Sequence, residues 1–313
     1  MNDLTTAFTP AFTKTKSAKK RKDPNDKINK SFFNMTEQQH EAGKLIVLEG
    51  VSQKKINGNV IKENIVTPIT LEYSQYTEKI MATKPRFNAF DREVLNACIA
   101  EQAVGNSFTT VDSIYRNMTG DSKRRKPSAE MIELIKSSLN KLLFCDATID
   151  LTEVCVKYGY NNNKPYILHS AILPGQYVES VVNGMPNISV EFYKPSPLFL
   201  AAEIKNGQIL SYDKNLLDVP LNNTPTIITV KSYLLRRICE IQSHKLTPVI
   251  TFADIFEKND LIELSKLARN RLREHIKKML DFWVQENVIT GYEIIKEGQS
   301  FYGIRLFFDN KKP

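Results

Sequence analysis

Two patterns of helical period occupy the stretch Ala268–Asn287 at once, and together they limit what this part of the chain can become. Leu272, Ile276, Met279, Leu280 and Trp283 are spaced so that they gather on one face of a helix. Arg269, Arg273 and Lys277 recur every four residues on another face, with Arg271 and Lys278 beside them. A dry stripe holding the single Trp of the chain, next to a cluster of cations, suits a surface that meets phosphates. Any basic surface helix shows the same two stripes, so the surrounding order of elements has to decide between the two readings.

Charge alone does not decide it. The chain of 313 residues carries a formal net charge of +8. Lys14, Lys16, Lys19, Lys20, Arg21, Lys22, Lys27 and Lys30 stand against only Asp3, Asp23 and Asp26, so residues 1–30 hold most of that excess. The remaining body is nearly neutral, and a nucleic-acid reading must rest on local clusters. Residues 1–43 lack hydrophobic periodicity and read as a flexible, disordered basic arm. A hydrophobic fraction of 42% with 25% charged residues is ordinary for a soluble chain with a sizeable core, and the length suits two domains of about 150 residues each.

Several chemistries find no pattern to carry them. His40, His169, His244 and His275 are far apart and share no metal-ligand spacing with Cys, Asp or Glu. Cys98, Cys145, Cys155 and Cys239 form no CxxC pair, and Cys98 and Cys239 sit among apolar helical residues as core fillers, which suits a reducing compartment. Gly105, Gly120 and Gly159 are isolated, so no phosphate-binding loop is formed. Tyr233, beside Arg236 and Arg237, is the nearest approach to a tyrosine nucleophile and reads better as a core residue with a basic flank. The expectation is a protein that binds without catalysing, needs no cofactor or metal, and is soluble and cytoplasmic. No apolar run approaches the roughly 18 residues of a membrane span.

Lys44–Glu49 and Asn59–Glu72 are β-type runs around the turn signal Asn57-Gly58, which suggests a hairpin. From Phe87 a clearer order begins. Phe90–Val104 is helical and ends at Gly105; Thr109 or Thr110 caps a short helix stopped by Gly120; Ser128 starts a longer amphipathic helix. Thr148–Leu151 and Tyr166–Leu173 follow as two strands. Helix, short helix, longer helix, then hairpin is the order of a winged helix-turn-helix. After strands at Tyr177–Val182 and Ile188–Tyr193 the order repeats: a helix over Ile227–Ser243, a short helix capped by Thr251, the basic helix Ala268–Asn287, and a hairpin from Ile289–Lys296 and Ser300–Phe308. The expected fold class is therefore α+β, with two tandem winged helix-turn-helix domains behind the arm. The expected divisions are 1–43 for the arm, 44–195 for a first domain with extra strands, 196–224 for a linker with short strands, and 225–313 for the second and main DNA-binding domain.

In a helix-turn-helix, the N-terminal part of the second helix of the pair faces the base edges. In the second unit that picks out Arg269, Asn270, Arg271, Arg273, Lys277 and Lys278. Arg pairs with guanine and Asn with adenine, whereas Lys usually meets phosphate, so Arg273 is the expected base reader and Lys278 a phosphate contact. In the first unit the candidates are Ser128, Glu130 and Lys136, with Lys123, Arg124, Arg125 and Lys126 ahead of the helix, on phosphates or merely in a solvated loop. Phe192, Tyr193, Phe199, Phe301, Tyr302, Phe307 and Phe308 alternate within β-type runs and are better explained by core packing than by stacking on single-stranded bases.

With both units placed, the chain resembles the initiator replication proteins of theta-replicating plasmids and related mobile elements. The resemblance is carried by Phe90-Asp91-Arg92-Glu93-Val94-Leu95, Ser113-Ile114-Tyr115-Arg116-Asn117-Met118-Thr119-Gly120, Tyr233-Leu234-Leu235-Arg236-Arg237-Ile238 and Ile276-Lys277-Lys278-Met279-Leu280-Asp281-Phe282-Trp283, and spans roughly residues 87–308. It implies binding to repeated origin sites in double-stranded DNA, opening of an adjacent AT-rich region and recruitment of the host replicative helicase or its loader. It also allows a homodimer that represses its own promoter, with the less basic first unit serving dimerisation. Two alternatives stand beside it: a winged-helix transcriptional regulator of a mobile element, and a protein-interaction module that inhibits a nucleic-acid enzyme.

Overall fold

The computed structural model describes residues 44–48, 59–62, 65–73, 87–120, 126–150, 152, 165–182, 185–204, 209–244, 247–298 and 300–309. The expected arm at 1–43 and the turn signal Asn57-Gly58 lie outside them. The described chain mixes seven helices with four small sheets.

In the first part of the chain, local chemistry sets the helix ends. Helix α1 (Ala89–Ala103) opens on a reciprocal cap, in which the Asn88 side chain accepts from the Asp91 amide at 2.9 Å and the Asp91 carboxylate accepts from the Asn88 amide at 2.8 Å. Strand β4 (Phe108–Thr110) leads into α2 (Val111–Thr119), whose first turn is capped by the Thr110 hydroxyl. Gly120 ends α2 in the left-handed region at φ 72°. Helix α3 (Ala129–Phe144) starts at Ser128, whose hydroxyl accepts from the Met131 amide at 3.2 Å.

The sheet arrangement departs from expectation. Strands β5 (Cys145–Asp150) and β6 (Ile167–Ala171) pair antiparallel as anticipated, with Thr148 opposite His169. They do not, however, join β4. They extend a sheet that begins with β2 (Asn59–Lys62) and β3 (Ile65–Tyr73), in the order β2-β3-β5-β6. The hairpin that pairs with β4 is the next one, β7 (Gly175–Val182) and β8 (Met185–Phe192), with Thr109 opposite Val190. Alternation marks a strand and its faces but not its partner, so two successive hairpins were interchangeable on sequence. Likewise, the anticipated single run Asn59–Glu72 is two strands paired to each other, with Lys62 opposite Ile65.

Residues 196–224 are more than a linker with short strands. They hold a helix, α4 (Pro197–Ile204), a strand, β9 (Ile209–Asp213), and a 3-10 turn, Lys214–Leu217. Strand β1 (Lys44–Leu48) pairs antiparallel with β9 across more than 160 positions of chain.

The second part repeats the helix–strand–helix–helix–hairpin order. Helix α5 (Pro225–His244) begins with a proline, whose missing N–H is not needed there, and the Thr224 hydroxyl accepts from the Ile227 amide. Strand β10 (Val249–Thr251), α6 (Phe252–Lys258, capped by Thr251), α7 (Lys266–Gln285), β11 (Gly291–Glu297) and β12 (Ser300–Phe307) follow, with the sheet ordered β10-β12-β11. Gly303 lies where β10 passes closest; a Cβ there would come within 2.7 Å of the Ile250 carbonyl oxygen.

Two apolar clusters form the core, one around α1, α2, α3 and β8, the other around α5, α6, α7 and β12. They meet along α1 and α5: Ala100 of α1 belongs to the second cluster and Ile228 of α5 to the first. Polar bonds cross the same seam. Arg236 donates to Glu93 at 3.0 Å with both side chains buried. Lys231, with no exposed surface, donates to the Thr119 and Leu217 carbonyls and to the Asn223 side chain. Asp260, itself in the left-handed region at φ 58°, accepts from the amide of Ala89 at 2.8 Å.

Candidate nucleic-acid interface

Helix α7 is set by its own cap and its own dry face. The Ser265 hydroxyl accepts from the Ala268 amide, so the helix starts at Lys266, two residues ahead of the expected boundary. Leu272, Ile276, Met279, Leu280 and Trp283 are all buried in the second core. The indole of Trp283 donates its N–H to the Leu216 carbonyl at 2.8 Å, which satisfies the one polar atom of a fully buried ring.

The cationic stripe divides into two groups. Arg269, Arg273 and Lys277 are half-buried, whereas Arg271 and Lys278 are exposed. The Arg273 guanidinium lies 4.8 Å from the centroid of Phe301, 5.2 Å from Phe252 and 5.8 Å from Phe256. Arg269 sits over Phe256 at 5.3 Å and donates to the Ile262 carbonyl. The Nε atoms of both arginines are buried and have no acceptor among the described residues. Burial, with Arg269 alongside, lowers the Arg273 pKa. Lys277 is tied to Glu274 at 2.7 Å. Period-four spacing identifies a shared face; it does not show that the face is turned to solvent rather than to two phenylalanines of α6 and one of β12.

The face of α7 turned fully outward carries Lys266, Leu267, Asn270, Arg271, Glu274, Lys278, Asp281 and Gln285. Asn270 is held: its Oδ1 accepts from Arg273 Nη1 at 2.7 Å. A guanidinium only donates, so this contact fixes the amide with its NH2 pointing away from Arg273. The paired Asn–adenine contact needs the amide oxygen and nitrogen together, and here the oxygen is already engaged. The first turns of α1, α2, α3 and α6 carry Asp91, Asp112, Glu130 and Asp254, as the helix dipole favours. The first turns of α4, α5 and α7 have no acid, and that of α7 begins with a lysine. Cations at the positive end of a helix weaken it slightly and favour an anion from outside.

Helix α3 presents the opposite chemistry. Its exposed positions are Ala129, Glu130, Glu133, Leu134, Ser137 and Asn140. Lys136 is drawn between Glu133 and Glu179 of β7, at 3.4 Å from each. Ser128 is exposed but serves as the helix cap. Lys126 is exposed ahead of the helix, while Lys123, Arg124 and Arg125 lie outside the described residues.

The β11–β12 hairpin adds residues that sequence reasoning gave to the core. Phe301, Tyr302 and Phe307 are 36%, 46% and 45% exposed, and Tyr193 is 60% exposed; Phe192 and Phe199 are buried as expected. The register shifts between Ile295 and Lys296, which places Phe301 and Tyr302 at the irregularity, whereas Phe307 is exposed in step with the alternation that buries Ile304 and Leu306. Lys296 lies 5.3 Å from the Phe301 ring, and Arg305 pairs with Glu293 at 2.9 Å. Tyr292 donates to Asp281 at 2.8 Å and fastens β11 to α7.

No protein-family model matches the chain, and no curated protein matches it. Among solved structures, a crystal structure of RctB domains 2-3 aligns at 13% identity over 80% of this chain and 89% of that one, with a TM-score of 0.43. Another, of selenomethionine derivatives of domain 2 and domain 3 of RctB, aligns at 12% identity over 86% and 92%, with a TM-score of 0.39. Likeness at that level carries no functional information, so function has to be read from the chain's own residues. Among the described residues no three His, Cys, Asp or Glu side chains stand together as metal ligands, and no helix is long and apolar enough to cross a membrane.

Proposed function

We propose that this chain is a sequence-specific double-stranded DNA-binding protein acting as the replication initiator of a plasmid or mobile element. Its two helix–strand–helix–helix–hairpin units are read as tandem winged helices. The second is the main DNA-binding unit, and the first contributes dimerisation or a weaker contact. The protein works in the cytoplasm by binding, without catalysis or a cofactor, at repeated origin sites, and its bound form promotes opening of the origin and entry of the host helicase.

The observation that carries the reading is the outward face of α7, where Lys266, Arg271 and Lys278 flank polar Asn270 on a helix whose first turn lacks an acid. The acidic outer face of α3 supports the unequal roles of the two units. The sequence resemblance supplies the step from DNA binding to initiation.

The test is replication itself. A plasmid whose only origin is this gene with its flanking DNA is expected to replicate, and to fail with Arg271→Ala in combination with Lys278→Ala. Tandem direct repeats in that DNA, protected by the protein next to an AT-rich tract, are the expected footprint. An inverted repeat at the promoter, with no autonomous replication, would replace initiation by transcriptional regulation.

A further inference from the structure

The outward face of α7 begins with an apolar residue. Leu267 is 62% exposed and Ile262, in the turn before the helix, is 59% exposed. Among the described residues of the second unit they are the most exposed large hydrophobic side chains. Neither is loosely presented. Arg269 donates to the Ile262 carbonyl and is itself stacked on Phe256. The Leu261 amide donates to the Phe256 carbonyl at 2.7 Å, the Leu264 amide to Leu261, and Ser265 caps α7. Asp260 ties the same turn to the start of α1. Several bonds thus fix the backbone of the turn from which the two aliphatic side chains project into water.

Their surroundings say what covers them. Lys266 adjoins Leu267 in sequence, and Asn270 and Arg271 follow it one turn later on the same exposed face. Exposed Glu263 stands beside Ile262 in the turn, while the helix side of Leu267 carries Lys266, Asn270 and Arg271, and it is this helix side that suits a polyanion with an apolar group among its polar edges. In the major groove of DNA that group is the 5-methyl of thymine.

We propose that Leu267, backed by Ile262, reads a thymine 5-methyl in the major groove, so that the preferred site carries thymine beside the bases met by Asn270 and Arg271. This rests on the double-stranded DNA reading given above, and adds to it a specificity residue and a base. The role is one of discrimination: Leu267 contributes little on sites whose base at that position lacks a methyl.

The experiment uses the full chain and random-sequence DNA duplexes. The duplex most enriched by binding is resynthesised with deoxyuridine in place of thymidine, one position at a time. Uracil keeps the pairing and the O4 acceptor and removes only the methyl. The wild-type protein is expected to lose about fourfold in affinity at one position or two adjacent ones, the effect of one buried methyl. Leu267→Ala is expected to bind the thymine and uracil duplexes equally, with unchanged thermal melting because the side chain is exposed. Ile262→Ala narrows the difference. Equal wild-type binding to every uracil duplex overturns the proposal while leaving DNA binding intact, as does discrimination that survives Leu267→Ala. A Leu267→Ala protein that loses self-association, with no uracil effect in the wild type, overturns it in favour of a contact between copies. Absence of any enriched duplex at low salt overturns both this proposal and the DNA-binding reading beneath it.

Discussion

The guanidinium of Arg273 lies 4.8 Å from the ring centroid of Phe301, so a residue in the middle of α7 is fastened to the start of strand β12. Phe252 and Phe256 of α6 complete a cage around the same charge. Arg273 therefore joins α6, α7 and the terminal hairpin. Arg273→Ala is expected to cost about 1–2 kcal/mol in equilibrium unfolding, the range for partly desolvated cation–aromatic contacts. DNA affinity should fall alike on preferred and random duplexes. Arg273→Lys keeps the charge but not the planar stack and should recover only part of the stability. A loss confined to preferred DNA, with unfolding unchanged, would return Arg273 to the base-reading role expected from its place on the helix.

The buried contact between Glu93 and Arg236 joins α1 to α5, with Arg92 also donating to Glu93 at 3.3 Å. Burial, with Arg236 beside it, lowers the Arg92 pKa to about 10. Removing the Glu93 carboxylate takes away the acceptor that two buried guanidinium groups share. Glu93→Gln is expected to cost about 3–5 kcal/mol by denaturant unfolding. Glu93→Gln combined with Arg236→Gln should cost less than the sum of the two single changes, since their interaction is lost only once. Additive costs would mean that the pair does not act as a unit.

Gly120 combines a left-handed backbone at φ 72° with close neighbours: a Cβ there would lie 2.5 Å from the Lys214 carbonyl oxygen and 2.6 Å from the Asp218 nitrogen. Those are backbone atoms of the turn whose Leu217 carbonyl Lys231 holds. Gly120→Ala is expected to cost more than the roughly 1–2 kcal/mol of the backbone conformation alone. The check is chemical denaturation of Gly120→Ala beside Gly105→Ala. Gly105 also has a positive φ, but nothing lies near its missing Cβ, so its cost should stop at the backbone term.

Alkaline pH should loosen the terminal hairpin. Burial, and then the hydrogen bond to Asp281, pushes the Tyr292 phenol up to about 12. An unfolded chain releases that proton near pH 10, roughly the free tyrosine value. Between about 10 and 12 the unfolded state has therefore already lost a proton that the folded state keeps, and stability falls with rising pH. Below that window the contribution is fully present. Tyr292→Phe is expected to flatten this part of the pH–stability curve, measured by melting temperature. An unchanged slope would show that Tyr292 is not among the groups responsible.

The elements were legible wherever a local rule was sufficient. Thr110, Ser128 and Thr251 cap the helices they precede, Gly120 ends α2, and the five apolar residues of α7 are buried. What depended on distant partners was not. Choosing β7–β8 rather than β5–β6 as the partner of β4 needs the position of β3, far upstream. Leu198 and Phe199 fall within 196–224, given to a linker with short strands; both are buried in the first core, and Phe199 packs there as expected but from a helix instead of a strand. The division of the cationic stripe depends on Phe301, which meets Phe252 edge-on at 6.3 Å. The one local clue was the pair Phe252 and Phe256, one helical turn apart on a short helix, which asks for something to cover it.

The proposed function stands on contact between the outward face of α7 and the backbone and bases of DNA. The most direct measurement is the affinity of the full chain for duplex DNA over a salt series. The expected result is a linear fall of log K with log salt, with a slope of about 0.9 for each phosphate neutralised. Lys278→Ala should reduce that slope by about 1 on every sequence, and Arg271→Ala should weaken preferred DNA more than random DNA. A flat salt response, absence of binding at low salt, or a slope untouched by both substitutions would contradict it.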